Sequence, residues 1–277
     1  MRETKRNRAE AAAPSCARRR PATFPLVADL VESLMGIPGA VAVARAGGEH
    51  VARPAPPGGE PAYLLYYRGM LDAAELRKLP FEGDVAEPGV RGRLMNGGAS
   101  LTVAGRRADV VYRDLDAVEH WVAEASEGRF EIDAVDGWLA GPPTYVLVGE
   151  LATCEALAGE LPRPEFPAAL REAATRRWRD AAASVLEIAE SLASRGDVAG
   201  CVGLLAKAAL ATAQARLAER GEWAVSEGGI VRRAGLGRAE AILAATGDRP
   251  FDLERAVSRI RVALGLTAGG TTFPEAA

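Results

Sequence analysis

The chain has 277 residues, of which 48% are hydrophobic and 26% are charged, a composition typical of a globular protein with one or two domains. It excludes collagen-like, coiled-coil and wholly disordered chains, and a chain of this length needs no disulfide or metal to hold its core together. The formal net charge of −3 gives no general reason to expect a nucleic-acid partner.

The first 23 residues are basic, with seven Lys or Arg against two acidic residues. They contain no apolar run of the length found in a secretory signal, so we expect a disordered leader. A basic arm that binds nucleic acid or a membrane surface is the alternative.

The cysteines and the hydropathy pattern bear on the compartment. Cys16, Cys154 and Cys201 are widely spaced and lack the spacing of metal ligands. We see no apolar run that approaches the roughly 20 residues needed to cross a bilayer. We therefore expect a cytoplasmic protein with no membrane contact.

The front half of the chain mixes helical and strand patterns. Apolar residues at helical spacing predict a helix over 24–35, and short apolar runs predict buried strands at 40–44 and 63–67. A further helix is expected at 72–79, followed by a long irregular connection over 81–96.

A hairpin is expected next, with strands at 100–103 and 108–113 joined across Ala104-Gly105-Arg106. Alternation along the second strand places Asp109 in mid-strand, where a carboxylate is out of place unless that face lines a cleft. Asp114 or Asp116 is expected to cap the helix that follows.

The back half has helical periodicity throughout. We expect helices at 145–157, at 178–195 and from a cap at Asp197, then two shorter ones at 236–245 and 252–264. The predicted class is therefore α+β, in which an α/β front half precedes an all-α back half.

Three blocks of the sequence resemble a group of actinobacterial nucleotidyltransferase-domain proteins: NGGASLTVAGRRADVVYRDLDAVEHWVAEASEGRFE, PTYVLVGELATCEALAGELPRPEFP and RGDVAGCVGLLAKAALATAQARLAERGEW. These proteins belong to the polymerase-β-like nucleotidyltransferase superfamily, which includes aminoglycoside nucleotidyltransferases. The resemblance covers about residues 25–246. It implies a small mixed sheet in a nucleotidyltransferase-like domain at 24–141, behind the leader at 1–23. A helical domain at 142–277 would complete the substrate cleft.

The resemblance also implies the chemistry of the site. Relatives use a Gly-Ser turn to hold triphosphate oxygens, an Asp-x-Asp pair to bind two Mg²⁺ ions, and a third Asp as metal ligand or base. Here Gly47 and Gly48 match the turn as candidate nucleotide-binding residues, but Glu49 stands where relatives have Ser.

The carboxylates depart further from the family pattern. Relatives carry Asp-x-Asp where this chain has Glu60-Pro61-Ala62, while Asp109 matches the third Asp. Losing two of three carboxylate ligands should slow metal-dependent transfer by many orders of magnitude. Glu60 and Asp109 are the candidate ligands of any metal site that remains.

Five side chains are candidates for acid, base or hydrogen-bonding roles in the cleft: Asp109, His50, Glu49, Tyr67 and Tyr112. Each has a structural alternative. Asp109 could be a hairpin-edge residue paired with Arg107 or Arg113, His50 an exposed loop residue, and the tyrosines core residues. Glu227 lies where relatives show Asn-Glu-Lys-Gly, but Gly228 replaces the Lys.

These residues support three functional hypotheses. The first is a nucleotidyltransferase fold that has lost Mg²⁺-dependent transfer and binds a small molecule between its halves, or catalyses a metal-independent reaction, within specialised-metabolite or antibiotic biosynthesis. The second is an active enzyme that uses ATP and Mg²⁺ to modify a hydroxylated acceptor such as an aminoglycoside. The third is a non-catalytic interaction protein. None of the three involves nucleic acid.

Overall fold

The computed structural model describes residues 25–47 and 62–266. The predicted leader, Gly48, Glu49, His50 and Glu60 lie outside the described residues, so the expectations that rest on them stay predictions.

The described residues contain a mixed six-stranded sheet with the strand order β3-β4-β5-β2-β1-β6. Its strands are β1 (Ala40–Arg45), β2 (Tyr63–Tyr67), β3 (Glu82–Val85), β4 (Gly98–Val103), β5 (Arg106–Asp114) and β6 (Glu155–Ala158). Strands β2 and β5 run parallel, and every other neighbouring pair is antiparallel.

Helices flank this sheet and then form a bundle. They are α1 (Pro25–Met35), α2 (Ala73–Arg77), α3 (Gly92–Met95), α4 (Leu115–Ser126), α5 (Val146–Thr153), α6 (Ala168–Ser194), α7 (Val198–Arg220), α8 (Ile230–Arg233), α9 (Gly237–Leu243) and α10 (Pro250–Leu264). The α+β class, with a small mixed sheet followed by helices, is confirmed.

Two predicted segments were wrong in type. The connection over 81–96 contains β3 and α3. The helix predicted over 145–157 ends at Thr153, after which Cys154 is extended and β6 pairs with β1. Sequence periodicity misses such short edge strands because their conformation comes from pairing with a neighbour.

The late position of β6 bears on the domain boundary. This strand comes from beyond residue 141, so the sheet draws on both sides of the predicted division. The long helical hairpin begins at Ala168, ten residues before the predicted helix start at 178 and well after the predicted division at 141. The division at 141 stays a prediction.

The two faces of the sheet pack against different parts of the chain. One face, with Val43, Leu65 and Val110, packs against α1 and α2. The other face, with Leu64 and Val111, joins one hydrophobic core with α4, α5, α6 and α7. The helical part therefore covers one face of the sheet without an intervening solvent layer at these residues.

Helices α6 and α7 form the antiparallel hairpin at the centre of the bundle. The Asp197 carboxylate caps α7 by accepting a hydrogen bond from the Gly200 N–H at 2.9 Å, and Gly221 ends it in the left-handed conformation. Among the described helices, α7 alone is long and apolar enough to cross a membrane. Half of its apolar window is buried inside the protein, as in the core helix of a hairpin.

A buried ion pair joins the sheet to α5. Arg113 on β5 donates from Nε to Glu150 Oε2 at 2.6 Å and from Nη2 to Glu150 Oε1 at 2.9 Å. Both side chains are only 2% exposed. Arg113 Nη1 also donates to the carbonyls of Leu94 and Tyr112, at 3.3 and 3.1 Å.

This ion pair decides the charge state of Arg113. Burial alone would lower the pKa of the guanidinium, but the carboxylate of Glu150 outweighs it and raises the pKa above its usual value. Arg113 therefore stays charged, and the pair is stable only while both partners are present.

We predict that Glu150→Gln lowers the free energy of unfolding by about 3–5 kcal/mol, because it leaves a buried guanidinium without its counter-charge. Equilibrium unfolding in urea measures this change. The matched control is Glu155→Gln, which removes the exposed Arg45–Glu155 pair of 3.3 Å and should cost less than about 1 kcal/mol. Equal losses in the two variants would contradict the prediction.

Candidate functional site

Asp109 lies on the sheet face that the helical part covers. It shares this face of β5 with Val111 and Arg113, because alternate residues of a strand point the same way, and its side chain is 38% exposed. In the parallel ladder Tyr63 pairs with Val110, so the residues just before them, Ala62 and Asp109, stand side by side. The carboxylate is therefore at an accessible end of the covered face.

The partner of Asp109 is Arg107, two residues earlier on the same strand. Arg107 Nε and Nη2 each approach Asp109 Oδ1 to 2.9 Å. Arg113, the other predicted ion-pair partner of Asp109, is instead bound to Glu150. One of the two structural alternatives for Asp109 is thus observed, on the face where the resemblance places a functional carboxylate.

Ala62 takes the position where the resemblance calls for a second carboxylate. Its carbonyl accepts a hydrogen bond from the Ala46 N–H at 2.9 Å, which extends the pairing of β1 with β2. The side chain packs against the hydrophobic core that contains α5. A methyl group therefore lies beside Asp109, where the resemblance would place a charge.

Gly47 is required by packing. Its φ is not in the left-handed region, but a Cβ on it would lie 2.3 Å from the carbonyl oxygen of Thr153, the last residue of α5. Because a helix C-terminus carries partial negative charge, this side of Gly47 is unsuited to a phosphate group. Close approach of two backbones explains the glycine without a nucleotide.

Tyr67 and Tyr112 lie on the opposite face of the sheet from Asp109. Both are buried in the core formed with α1 and α2, with exposures of 4% and 0%. The structure therefore does not bring them together with Asp109. Both tyrosines pack as core residues, which was the structural alternative.

Their environments keep both phenols protonated at neutral pH. Burial raises the pKa of Tyr67, the hydrogen bond from Asn96 acts in the opposite direction, and Asp114 adds to the rise. Burial also raises the pKa of Tyr112. Within the described part of the chain, the buried Tyr112 hydroxyl has no hydrogen-bond partner.

Asn96 organises the loop before β4. It has a left-handed φ of 53°, its Nδ2 donates to the Tyr67 hydroxyl at 2.8 Å, and its Oδ1 accepts from the Gly89 N–H at 2.7 Å. A Cβ on Gly97 or Gly98 would lie 2.6 or 2.5 Å from a backbone carbonyl oxygen. The Asn-Gly-Gly run, a strong part of the resemblance, thus has a structural role that the sequence analysis did not identify.

Glu227 links two loops. Its carboxylate oxygens accept hydrogen bonds from the backbone N–H groups of Leu139 and Ala140, each at 2.7 Å. The carboxylate therefore holds the segment before α5 against the segment between α7 and α8. This contact gives Glu227 a structural role that does not depend on the lysine that the resemblance would place at position 228.

The described cysteines show no sign of an activated nucleophile. Cys154 is 4% exposed and Cys201 fully buried. Burial raises the pKa of both thiols, whereas a reactive cysteine has a lowered pKa. Cys201 is a small residue of the core between the helices.

Within residues 25–47 and 62–266, no group of three His, Cys, Asp or Glu side chains is placed to hold a metal ion. Among the described candidates only Asp109 offers a carboxylate at this end of the sheet. Whether Glu60 joins it stays a prediction.

No protein-family profile matches the chain, and no curated protein matches it in sequence. Among solved structures it is similar to a nucleotidyltransferase-like protein from Exiguobacterium sibiricum, with a TM-score of 0.42 and 9% identity. The match covers 86% of this chain and 73% of that one. A likeness at this level says nothing about activity.

We predict that Gly47→Ala lowers the free energy of unfolding by about 1–3 kcal/mol, because the new methyl group overlaps the Thr153 carbonyl oxygen. Urea unfolding measures the change. Gly203→Ala is the control: this glycine lies in α7 with open space around it, and alanine there should stabilise the helix by up to about 1 kcal/mol. An unchanged stability of Gly47→Ala would contradict the packing explanation.

We predict that Asn96→Ala lowers the free energy of unfolding by about 2–4 kcal/mol, since it removes two hydrogen bonds and places alanine at a positive φ. Asn96→Gly should cost less, because glycine accepts this φ. Tyr67→Phe, which removes one of the bonds, should cost about 1 kcal/mol. A loss in Asn96→Ala no larger than in Tyr67→Phe would overturn this account.

Proposed function

We propose that this chain is a nucleotidyltransferase-fold protein that no longer performs Mg²⁺-dependent nucleotidyl transfer. In this proposal the face around Asp109 binds a small molecule, or supports a metal-independent reaction on it. A cytoplasmic role in the biosynthesis of specialised metabolites such as antibiotics is part of the same proposal.

The observation that carries the proposal is the register of the parallel ladder: continued by one residue beyond the Tyr63–Val110 pair, it sets Ala62 beside Asp109. In the enzymes that the chain resembles, a carboxylate at the position of Ala62 would complete the ligands of two Mg²⁺ ions. Here a methyl group packed on the core takes that position. Among the described candidates Asp109 is the one carboxylate at this end of the sheet, and a single Asp is a poor Mg²⁺ site, because this ion needs several oxygen ligands at near-ideal octahedral positions.

Arg107 provides the second support. Its guanidinium already contacts Asp109 at 2.9 Å, so the negative charge is balanced by a side chain of the same strand. A divalent cation would have to displace Arg107 and tolerate a positive charge next to it. The pair itself is exposed and worth no more than about 1 kcal/mol, so the like charge nearby is the larger obstacle.

The surroundings of Gly47 agree with this proposal. The side of Gly47 that faces α5 meets a helix C-terminus, which repels a phosphate group. Among the described residues near this end of the face, Asp109 offers a half-exposed carboxylate with the cation of Arg107 beside it. These two groups can orient a small polar ligand by accepting and donating hydrogen bonds.

The test is to incubate the full chain with ATP and Mg²⁺ or Mn²⁺ and a panel of hydroxylated acceptors that includes aminoglycosides, and to follow release of pyrophosphate. We expect no release above background. Metal-dependent release that disappears in Asp109→Asn would overturn the proposal and establish the active transferase. Asp84→Asn, which alters an exposed carboxylate on β3, is the control for this variant.

A designed gain of metal binding checks the geometry itself. The double variant Ala62→Asp with Arg107→Ala restores a carboxylate beside Asp109 and removes the competing guanidinium. We expect it to bind Mn²⁺ at least about tenfold more tightly than the natural chain, as followed by electron paramagnetic resonance. Equal Mn²⁺ affinity in both proteins would show that Ala62 and Arg107 are not what weakens the site.

A further inference from the structure

A buried hydroxyl on the face of the sheet opposite to Asp109 has no hydrogen-bond partner in the described part of the chain. It belongs to Tyr112 on β5, whose side chain is 0% exposed. A buried polar group without a partner is destabilising, so it calls for an explanation. Because Asp109 points to the other face of β5, a role for this hydroxyl is separate from the function proposed above.

The Tyr112 ring lies against the loop before β4. A Cβ on Gly97 would come 3.1 Å from Cδ2 of this ring and 2.6 Å from the carbonyl oxygen of Glu87. The Tyr112 N–H donates to the Gly97 carbonyl at 3.1 Å, so strand and loop are in contact at this point. The ring therefore passes beside a residue without a side chain and comes close to Glu87.

An exposed ion pair lies next to this ring. Arg77 at the end of α2 donates from Nη2 to Glu87 Oε1 at 2.5 Å and to the Val85 carbonyl at 3.1 Å. The side chains of Arg77 and Glu87 are 48% and 61% exposed, so solvent screens the pair and its contribution to stability is small. The Glu87 carboxylate can therefore leave Arg77 at little cost.

The charges near the Tyr112 hydroxyl determine what it can bind. Burial raises the pKa of this phenol, Arg77 lowers it, Glu87 raises it and Arg91 lowers it, with a net rise. The phenol is therefore protonated at neutral pH and can donate a hydrogen bond. Since two of the three charged groups around it are guanidinium groups, the acceptor that suits this position is an anion.

The loop has open space beside these groups. A Cβ on Gly89 or Gly92 would meet nothing within 4 Å. Between these glycines lie Arg91 and Val90, and the Val90 side chain is 65% exposed. The Gly89 N–H donates to Asn96 Oδ1 at 2.7 Å, so the loop is held in place while its outer side stays accessible.

These features favour a carboxylate over other anions. The pair with Glu87 shows that Arg77 accepts a carboxylate here, although that carboxylate makes no hydrogen bond with the Tyr112 hydroxyl. A free carboxylate has two oxygens, of which one can accept from Arg77 and the other from Tyr112. The exposed Val90 offers an apolar contact to the rest of a small organic acid.

We propose that Tyr112, Arg77 and Arg91 bind the carboxylate group of a small organic acid, which takes the place of Glu87 at Arg77. The bound acid supplies the acceptor that the Tyr112 hydroxyl lacks among the described residues. When the acid leaves, Glu87 returns to Arg77. Glu87 is thus an internal competitor that keeps Arg77 paired in the absence of ligand.

The test is to titrate isovalerate, a small branched organic acid, into the full chain. Binding is followed by ligand-observed saturation-transfer NMR and by the midpoint of thermal unfolding. We expect isovalerate to bind and to raise the midpoint above that in chloride of equal ionic strength. Isovaleramide, which has the same shape without the charge, should not bind. Absence of isovalerate binding, or equal binding of the amide, would overturn the proposal and leave water as the partner of the hydroxyl.

The variant Tyr112→Phe locates the site. It removes the hydroxyl and keeps the ring, so it should weaken isovalerate binding about tenfold. Without ligand, its unfolding midpoint should equal or exceed that of the natural chain, because an unpaired buried group is removed. This midpoint also confirms that the variant folds. Unchanged affinity in Tyr112→Phe would place the bound acid elsewhere and refute the assignment.

Two further variants test the exchange with Glu87. Glu87→Gln should strengthen isovalerate binding, because it removes the carboxylate that competes for Arg77, and Arg91→Gln should weaken it. Arg259→Gln, which alters an exposed arginine on α10, is the control and should leave binding unchanged. Equal affinity in Glu87→Gln and the natural chain would contradict the exchange.

Discussion

The ion pair between Arg113 and Glu150 sets the relation between the sheet and everything that lies on it. Two charges at 2% exposure are stable only with full hydrogen bonding. Arg113 obtains it from two carboxylate oxygens and two carbonyls, and the pair links α5 to β5 on the covered face. From there the end of α5 meets Gly47 and leaves no room for a Cβ. Helix α5 therefore connects the buried ion pair at Glu150 with the backbone of Gly47 at the candidate site.

The same strand connects the ion pair to Asp109. Because side chains alternate along β5, fixing Arg113 on the covered face also fixes Asp109 on it, four residues earlier. The parallel register with β2 then sets Ala62 beside the carboxylate. Arg113 and Asp109 differ in burial. The buried charge of Arg113 requires its partner Glu150, while the partly exposed charge of Asp109 makes a weak pair with Arg107.

Local signals in the sequence predicted much of the fold, and contacts between distant segments account for what they missed. Asp197 caps α7 as predicted, because a cap acts within one turn of a helix. In β6, residues that favour a helix become a strand because β1 offers its edge. Alternation predicted which face of β5 Asp109 shares with Arg113, but it could not reveal that Arg113 binds Glu150, since 37 residues separate the two.

The alanine at position 62 is consistent with the charges around it. Two carboxylates side by side on neighbouring strands would repel each other, and one would take up a proton unless a cation lay between them. With alanine there, Asp109 needs only one positive partner, which Arg107 supplies from its own strand. The methyl group also removes the cost of desolvating a charge where the chain packs on the core. Among the described residues, alanine at position 62 and the pairing of Asp109 with Arg107 therefore act together: they leave this end of the sheet with one negative charge that one positive side chain balances.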